Sequence, residues 1–161
     1  MAIEIERKFL VVNDHWRAQA APGIRYRQGY FSGSKTSSVR VRIEGEVARL
    51  NIKSATLGVT RREYEYPLPI NDAHEMLKHL CDGPLIDKWR YHVQHDGHLW
   101  EIDVFEGDNT GLVVAEIELG SEDETFARPE WLGAEVSHDA RYYNVCLAQH
   151  PFKDWQGKKD G

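Results

Sequence analysis

The sequence is poor in cysteine, and its two cysteines, Cys81 and Cys146, do not form a CxxC pair. We therefore expect neither a disulfide framework nor a cysteine zinc site, and the simplest interpretation is a reducing, cytoplasmic location. The eight histidines show no HExxH or comparable zinc spacing. No apolar run approaches the roughly 20 residues of a membrane span, and the first residues already resemble a strand, so no signal peptide is expected.

Basic residues are in the minority, with 20 Lys and Arg against 26 Asp and Glu and a net charge of -6. Nonspecific nucleic-acid binding usually needs a basic surface and is therefore not expected, whereas a local basic pocket is compatible with this charge balance. A chain of 161 residues is long enough for one domain with a substantial core. We assign this domain to residues 1–150 and a C-terminal tail to residues 151–161. A monomer and a homodimer both stay open.

Eight segments have the polar and apolar pattern that is typical of strands. They are Ala2–Val12, Ile24–Phe31, Ser38–Glu44, Glu46–Ser54, Arg61–Leu68, Leu85–Gln94, His98–Glu106 and Leu112–Leu119. Gly45 and the Asp96-Gly97 pair indicate tight hairpin turns, which join antiparallel neighbours. The sequence therefore predicts an α+β protein with a meandering antiparallel sheet or barrel, and not a doubly wound fold.

Helices are predicted between and after the strands. Asp72–Cys81 has apolar residues at helical spacing, with Asn71 as the expected N-cap and Gly83 as the expected stop. Further helices are predicted at Asp14–Ala20 and Asp139–Gln149, and Ser121–Glu124 has the spacing of a capping box. The tail from Pro151 is expected to be loose, with Phe152 and Trp155 as residues that could dock.

The first strand carries Glu4, Glu6 and Lys8 on one face, because side chains alternate along a strand. One such polar face usually means a solvated surface. Here, however, charged pairs recur on most strands, opposite apolar residues, and each strand tends to carry one sign. If the sheet closes, these charges point into its interior, where they are costly unless they pair or bind ions.

The charges fall into two sets with distinct chemistry. Arginine and lysine suit a chain of phosphates, and the basic set is Lys8, Arg40, Arg42, Lys53, Lys88 and Arg90. Carboxylate oxygens suit Mg²⁺ or Mn²⁺, and the acidic set is Glu4, Glu6, Glu116 and Glu118. A secondary set could equally form plain ion pairs that hold the barrel together, namely Glu63, Glu65, Glu101 and Asp103.

The ordered motifs resemble the CYTH family, also called triphosphate tunnel metalloenzymes. The resemblance rests on the ExExK motif at Glu4–Lys8 and continues over about residues 2–148 through Arg27–Tyr30, Val39–Arg42, Leu50–Lys53, Arg62–Glu65, Lys88–Arg90, Trp100–Phe105, Ala115–Leu119 and Tyr142–Asn144. It implies a closed eight-stranded antiparallel tunnel with a charged lumen and helices outside. It also implies Mg²⁺ or Mn²⁺ as the cofactor, and chemistry at a triphosphate. Asn51 stands where relatives often carry threonine.

Among relatives, the chain most resembles the short bacterial enzymes that hydrolyse inorganic tripolyphosphate. We expect the basic set to bind tripolyphosphate and the acidic set to hold the metal. The resemblance also suggests that Lys8 and Tyr30 act together, because a nearby positive charge would favour a phenolate that activates water. Glu63 or Glu65 is the competing base, or a ligand of a second metal.

Other functions stay open at this point. The same lumen could serve thiamine triphosphate hydrolysis or class IV adenylyl cyclase chemistry on an organic triphosphate. A noncatalytic module that binds polyphosphate or a nucleotide would keep the basic set, but it would not need four aligned acids. A purely structural barrel with internal salt bridges would bind neither metal nor phosphate.

Overall fold

The computed structural model describes residues 3–31 and 35–155, and these form nine strands, two α-helices and several short 3-10 helices. The strands are β1 (Ile3–Val11), β2 (Ile24–Tyr30), β3 (Ser37–Glu44), β4 (Val47–Ser54), β5 (Thr60–Leu68), β6 (Asp82–His95), β7 (His98–Phe105), β8 (Val113–Glu118) and β9 (Leu132–Glu135). Ala2, predicted to begin the first strand, and residues 156–161 of the predicted tail lie outside the described residues.

Eight strands close into an antiparallel barrel in the order β5-β4-β3-β2-β6-β7-β8-β1. β1 completes the ring, because it pairs with β5 over Ile3–Ile5 and with β8 over Glu6–Leu10. The short strand β9 pairs with the later part of β1 as an addition to this ring. The predicted closed eight-stranded barrel is therefore confirmed, whereas β9 was not predicted.

Two tight turns fix the register of the predicted hairpins. Gly45 has a φ of 60° between β3 and β4. Asp96 and Gly97 have φ values of 49° and 79° between β6 and β7. Two consecutive positive φ values define the turn whose twist matches antiparallel strands. Both turn predictions are confirmed.

The helices differ from the predictions in their ends. Helix α1 spans Ile70–His79 and buries Ala73 and Leu77 on one face. Pro69, and not Asn71, precedes its first turn, and Gly83 already belongs to β6. Among the described residues, none of the helices has both the length and the apolar composition that a membrane-spanning helix requires.

The predicted helix Asp139–Gln149 is wrong as a continuous element. A 3-10 turn, Ala140–Tyr142, is followed by Tyr143 in an extended conformation with ψ 136°, and helix α2 covers only Asn144–Gln149. The helical spacing did not reveal the tertiary hydrogen bonds of Tyr143, whose hydroxyl donates to the Ser137 carbonyl at 2.7 Å. Two smaller predictions also change: Asp14–Ala20 contains a 3-10 helix, His15–Gln19, and Ser121–Glu124 forms a turn without a helix.

Two hydrophobic clusters cover the outside of the barrel. One packs the chain segments around Trp16 and Trp131 against the outward residues of β1, β7 and β8, including Phe9, Trp100 and Ile117. The other packs α1 against Val41 and Ile43 of β3. These clusters bury the apolar faces of the strands, and the opposite faces are left to form the interior.

A third cluster lies inside the barrel, at one end. Inward positions that are charged near the centre become apolar there, as in the step from Lys88 to Ile86 and from Glu116 to Val114. Residues 136–155, here called the C-terminal plug, pack into this end through Tyr142, Leu147, Ala148, Phe152 and Trp155. Phe152 and Trp155, which were expected as the docking residues of an otherwise loose tail, are both buried, so their docking is confirmed. The plug closes one end of the interior.

Candidate active site

The interior charges are segregated around the barrel. Four adjacent strands, β7, β8, β1 and β5, carry most of the acids and form what we call the acidic wall. The other four, β4, β3, β2 and β6, carry most of the bases and form the basic wall. Lys8 and Arg61 are cations on the acidic wall. The strand order thus turns a pattern that is scattered in the sequence into two facing surfaces of opposite charge.

The two walls enclose a cavity of about 210 Å³. All of the predicted site residues except Asp103 line it, namely Glu4, Glu6, Lys8, Tyr30, Arg40, Arg42, Lys53, Glu63, Glu65, Lys88, Arg90, Glu116 and Glu118. Glu101, predicted as an ion-pairing residue, lines it as well, and it does pair with Arg90 at 3.3 Å. Five further lining residues were not predicted as site residues, although the Tyr142–Asn144 motif contains two of them; they are Ser38, Arg61, Tyr143, Asn144 and Val145.

The acidic wall brings like charges directly opposite each other. Glu6 faces Glu118 across the β1–β8 ladder, and Glu101 faces Glu116 across the β7–β8 ladder. Such pairs destabilise a sheet unless a cation offsets them. Burial raises the pKa of Glu118, and the neighbouring charges of Glu101 and Glu63 raise it further. The wall therefore holds an excess of negative charge that a metal ion would relieve.

Glu4 is a buried carboxylate that pairs with Lys53 but keeps one oxygen without a hydrogen bond. It is 7% exposed, and Lys53 Nζ donates to its Oε2 at 3.5 Å and lies 3.2 Å from Oε1, which accepts no hydrogen bond. Burial raises the pKa of Glu4, and Glu63 and Glu116 add to the shift against the opposing effect of Lys53. A buried carboxylate oxygen without a donor is a suitable ligand for a hard cation.

Nowhere in residues 3–31 and 35–155 do three His, Cys, Asp or Glu side chains already surround one point as a preformed metal cage. This arrangement still fits Mg²⁺, which usually binds through one or two carboxylates and completes its shell with water and substrate phosphates. The carboxylates of the acidic wall supply those one or two ligands. They fit a metal that is shared with a phosphate substrate.

The basic wall presents guanidinium groups that are only partly engaged. Arg40 is 7% exposed, and its Nε has no hydrogen-bond partner. Arg42 pairs with Glu44 at 2.5 Å and donates to Glu65 at 3.2 Å, but its Nε is likewise buried without a partner. Arginines that line a cavity favour an anion with several oxygens, since guanidinium forks match phosphate bidentately.

A buried ion cluster supports the basic wall at β6 and β7. Asp103 is fully buried, and it accepts from Lys88 Nζ at 2.7 Å and from Arg90 Nε and Nη2 at 2.7 and 2.8 Å. Burial alone would raise the pKa of Asp103, but Arg90 and Lys88 outweigh it and hold the pKa below its usual value. Asp103 thus orients two phosphate-binding candidates from beneath the cavity surface.

Lys88 gives the site a predicted pH dependence. Burial lowers its pKa to about 8, although Asp103 opposes the shift. If the charged ammonium binds phosphate, we expect KM for a triphosphate to rise above about pH 8 as Lys88 loses its proton. The same shift makes the Lys88 contribution to stability increase between pH 8 and its unfolded value of 10.5, because the unfolded chain then binds more protons. Steady-state kinetics across pH 6.5–9.5, at roughly half-unit steps, would test this.

The matched variant is Lys88→Arg, because arginine stays charged throughout this range. We expect the alkaline rise in KM to disappear in this variant even if its overall activity is lower. An alkaline rise of the same size in Lys88→Arg would assign the effect to another group.

Tyr30 and Lys8 both line the cavity, but each has its own contacts. Gln28 Nε2 donates to the Tyr30 hydroxyl at 3.1 Å, and the Arg40 guanidinium also bonds to this hydroxyl. Lys8 Nζ donates to the Tyr142 carbonyl at 3.2 Å and lies 5.6 Å from the centre of the Tyr143 ring. Arg40 is thus a cation in contact with the Tyr30 hydroxyl, and the joint action of Lys8 and Tyr30 stays a prediction.

The fold and the cavity together define a closed β-barrel protein whose interior sets carboxylates against guanidinium and ammonium groups. The CYTH domain family matches residues 2–144. The chain therefore belongs to the CYTH domain family, as the ordered motifs predicted.

Two relatives are similar along nearly their whole length. The inorganic triphosphatase of Acetivibrio thermocellus is 45% identical over 156 residues, covering 97% of this chain and 99% of that protein. The inorganic triphosphatase of Nitrosomonas europaea is 39% identical over 150 residues, covering 90% of this chain and 96% of that protein. A crystal structure of an inorganic triphosphatase superposes with a TM-score of 0.66 at 34% identity, covering 89% of this chain and 96% of the other.

Proposed function

We propose that this protein is an inorganic triphosphatase that hydrolyses tripolyphosphate to pyrophosphate and phosphate with Mg²⁺ or Mn²⁺. The observation that carries the proposal is the acidic wall facing the basic wall across one enclosed cavity. A cation and a polyanion together satisfy both walls, whereas either one alone leaves the other wall uncompensated. The names of the two relatives support the same activity.

The size and lining of the cavity favour an inorganic substrate. Its volume of about 210 Å³ is below the roughly 300–1,000 Å³ of sites that bury drug-sized organic ligands. Its lining is dominated by charged residues, and Tyr30, Tyr143 and Val145 are the large apolar or aromatic groups among them. Thiamine or adenine would need an apolar surface for its ring system, so the organic triphosphates are the weaker candidates.

In the proposed reaction, Arg40, Arg42, Lys53, Lys88 and Arg90 bind and orient the phosphate oxygens. Glu4, Glu6, Glu116 and Glu118 would hold the metal, which when bound would offset the negative charge that develops on the transferring phosphoryl group. The remaining contribution of the protein is positioning and fixed electrostatic stabilisation, which account for most of the catalysis of phosphoryl transfer.

The water nucleophile needs a group that orients it and accepts its proton. Tyr30 is our first candidate, because its hydroxyl reaches the cavity and is fixed by Gln28 and Arg40. Lys8 would then bind the phosphate that is attacked. Glu63 and Glu65 are the competing bases, and both are held by the Asn51 amide at 3.1 Å. A Tyr30→Phe variant distinguishes these roles, because it removes the proton acceptor and keeps the ring.

We also propose that residues 1–150 act as one catalytic domain in the cytoplasm, without a nucleic-acid partner and as a monomer or homodimer. The net charge of -6 and the two free cysteines support this setting. Residues 151–155 add to the packing of the C-terminal plug.

A phosphate-release panel tests the proposed function. The protein is incubated with tripolyphosphate, ATP and thiamine triphosphate, each with Mg²⁺, with Mn²⁺ and with EDTA alone. We expect the highest kcat/KM for tripolyphosphate and no release with EDTA. Cyclic AMP formed from ATP, with no phosphate from tripolyphosphate, would show a cyclase. Thermal stabilisation by tripolyphosphate without any phosphate release would show a binding module.

A further inference from the structure

One buried aromatic side chain of the basic wall has no part in the proposed reaction. Tyr26 of β2 is 5% exposed and lies directly opposite Glu44 of β3 and Lys88 of β6. Residues directly opposite each other in a sheet point to the same face, so the Tyr26 side chain points into the barrel together with that of Lys88. Tyr26 is nevertheless not one of the residues that line the cavity. Its ring therefore lies behind the cavity surface.

Three cations lie over the ring of Tyr26. The distances from the ring centre are 4.8 Å to Arg90 Cζ, 5.1 Å to Arg42 Cζ and 5.9 Å to Lys88 Nζ. All of them fall within the roughly 6 Å at which the negative face of an aromatic ring attracts a cation. Arg42 comes from β3 and the other two from β6, the two strands that flank β2. The ring thus joins cations from both sides of β2, and all three line the cavity.

The ring differs from a carboxylate in how it holds a cation. A carboxylate accepts hydrogen bonds and so occupies donors, as Asp103 occupies Nε and Nη2 of Arg90 at 2.7 and 2.8 Å. An aromatic ring attracts the charge of the whole group through its quadrupole and needs no hydrogen-bond acceptor. A ring can therefore stabilise a buried cation and leave its N–H donors for phosphate oxygens.

The cations of the basic wall need such a partner because they repel one another. Burial lowers the pKa of Arg42, and the charges of Arg40 and Arg90 lower it further, against the opposing effect of Glu44. Tyr26 does not supply an anion, because burial raises the pKa of its phenol above the usual value, although Arg90 opposes the shift. The hydroxyl stays protonated at neutral pH, so Tyr26 stabilises the cations through the face of its ring.

We propose that Tyr26 is a positioning residue of the active site, whose ring holds Arg42, Lys88 and Arg90 in the arrangement that binds phosphate. This inference rests on the proposed function and adds a residue that touches neither substrate nor metal. Without the ring, the buried cations would turn towards their carboxylate partners. Arg42, for example, already pairs with Glu44 at 2.5 Å. Fewer donors would then face the cavity, so loss of the ring should weaken substrate binding more than it slows the chemical step.

The first experiment compares Tyr26→Phe with Tyr26→Leu in steady-state kinetics with tripolyphosphate and Mg²⁺. Tyr26→Phe keeps the ring and loses only the hydroxyl, so we expect its KM to match the wild type. Tyr26→Leu loses the ring face, and we expect its KM to rise about tenfold, the loss typical for one desolvated cation–π contact, with a smaller change in kcat. The proposal is wrong if Tyr26→Leu keeps the wild-type KM, or if Tyr26→Phe raises KM as far as Tyr26→Leu does.

The matched control is Tyr91→Leu. Tyr91 is a half-buried residue of β6 that packs on the outside of the barrel, where its ring centre is 5.4 Å from Arg17 Cζ and 5.1 Å from that of Trp16. This variant also loses a packed ring and a cation contact, but away from the cavity. We expect it to keep the wild-type KM even if it melts at a lower temperature. A rise in KM as large as that of Tyr26→Leu would assign the effect to a loosened barrel and overturn the proposal.

Fluorinated phenylalanines at position 26 test the ring face while the shape of the side chain is nearly unchanged. Each fluorine withdraws electrons and weakens the negative face that attracts a cation. We expect the Kd for tripolyphosphate, measured by calorimetry without metal, to increase stepwise from phenylalanine through its monofluorinated to its trifluorinated form. A constant Kd along this series would mean that the ring only fills space, and the proposal would be wrong. Absence of phosphate release from tripolyphosphate by the wild-type protein would instead contradict the proposed function, so the two failures are distinguishable.

Discussion

Replacing Asp103 with Asn should lower the free energy of unfolding by about 3 kcal/mol, the cost of breaking a buried charge pair. Asp103 is fully buried beneath two cations, Lys88 and Arg90, which are 1% and 7% exposed. The amide would leave both cations without their closest counter-charge. Arg90 would keep Glu101 and Glu116 at 3.3 and 3.1 Å, which places the effect at the lower end of the range. Denaturant unfolding measures it directly.

The matched control is Asp87→Asn. Asp87 makes the same kind of forked contact, to Arg25 at 3.0 and 2.6 Å, but at the barrel surface, where the Arg25 side chain is 52% exposed. Surface pairs contribute roughly 1 kcal/mol or less, so this variant should stay close to the wild type. At about 2–4 °C per kcal/mol for a chain of this size, Asp103→Asn should melt roughly 6–12 °C lower. Equal effects of the two variants would mean that burial does not strengthen the Asp103 cluster.

Most of this fold could be predicted from the alternation of charged and apolar residues along the strands. The eight strands and the inward direction of the acids and bases follow from a period of two residues, which is strict in a half-buried strand. The two hairpin turns follow from Gly45 and the Asp96-Gly97 pair. The segregation into two walls could not be derived, because strands that are distant in the sequence, such as β6 and β2, become neighbours only through the closed topology.

The C-terminal plug, which closes one end of the interior, was not predicted, because it too depends on contacts between residues that are distant in the sequence. Helical spacing over residues 139–149 favoured one helix, whereas the hydroxyl bonds of Tyr143 to Ser137 and to the Gly58 loop pull the chain into an extended conformation. Arg61 was not predicted as a cavity residue, because one arginine before two glutamates resembles an ordinary ion pair. Its neighbour in the folded protein is the ring of Tyr143, which is distant in the sequence.

The acidic wall shows why the site cannot be optimal for stability. Placing Glu6 opposite Glu118 and Glu101 opposite Glu116 destabilises the free protein. Burial raises the pKa values of Glu4 and Glu118, and the negative charges of Glu63 and Glu116 raise both further. A ligand that binds only the folded state raises the free energy of unfolding and so offsets this destabilisation. Metal and triphosphate together should therefore raise the melting temperature more than the sum of their separate effects.

Replacing Glu116 with Gln should reduce kcat/KM for tripolyphosphate at least about 100-fold, the loss typical for one preorganised electrostatic group in an active site. Glu116 is 4% exposed, lines the cavity, and faces both Lys8 and Glu101 across the ladders of β8. Its Oε1 accepts from Arg90 Nη2 at 3.1 Å. The Gln carbonyl can keep this hydrogen bond, so the substitution removes the negative charge and preserves the shape.

Glu135→Gln separates loss of metal binding from a general effect of losing a carboxylate. Glu135 also pairs with an arginine, Arg7 at 2.9 Å, but it lies on the barrel surface with its side chain 32% exposed. The control should keep wild-type kcat/KM. In a thermal-shift titration, tripolyphosphate alone should raise the melting temperature of Glu116→Gln as it does for the wild type, because the basic wall is unchanged. The further rise in melting temperature that Mg²⁺ gives in the presence of tripolyphosphate should be lost in this variant. If Glu116→Gln still releases phosphate at the wild-type rate, the acidic wall does not hold the catalytic metal through Glu116.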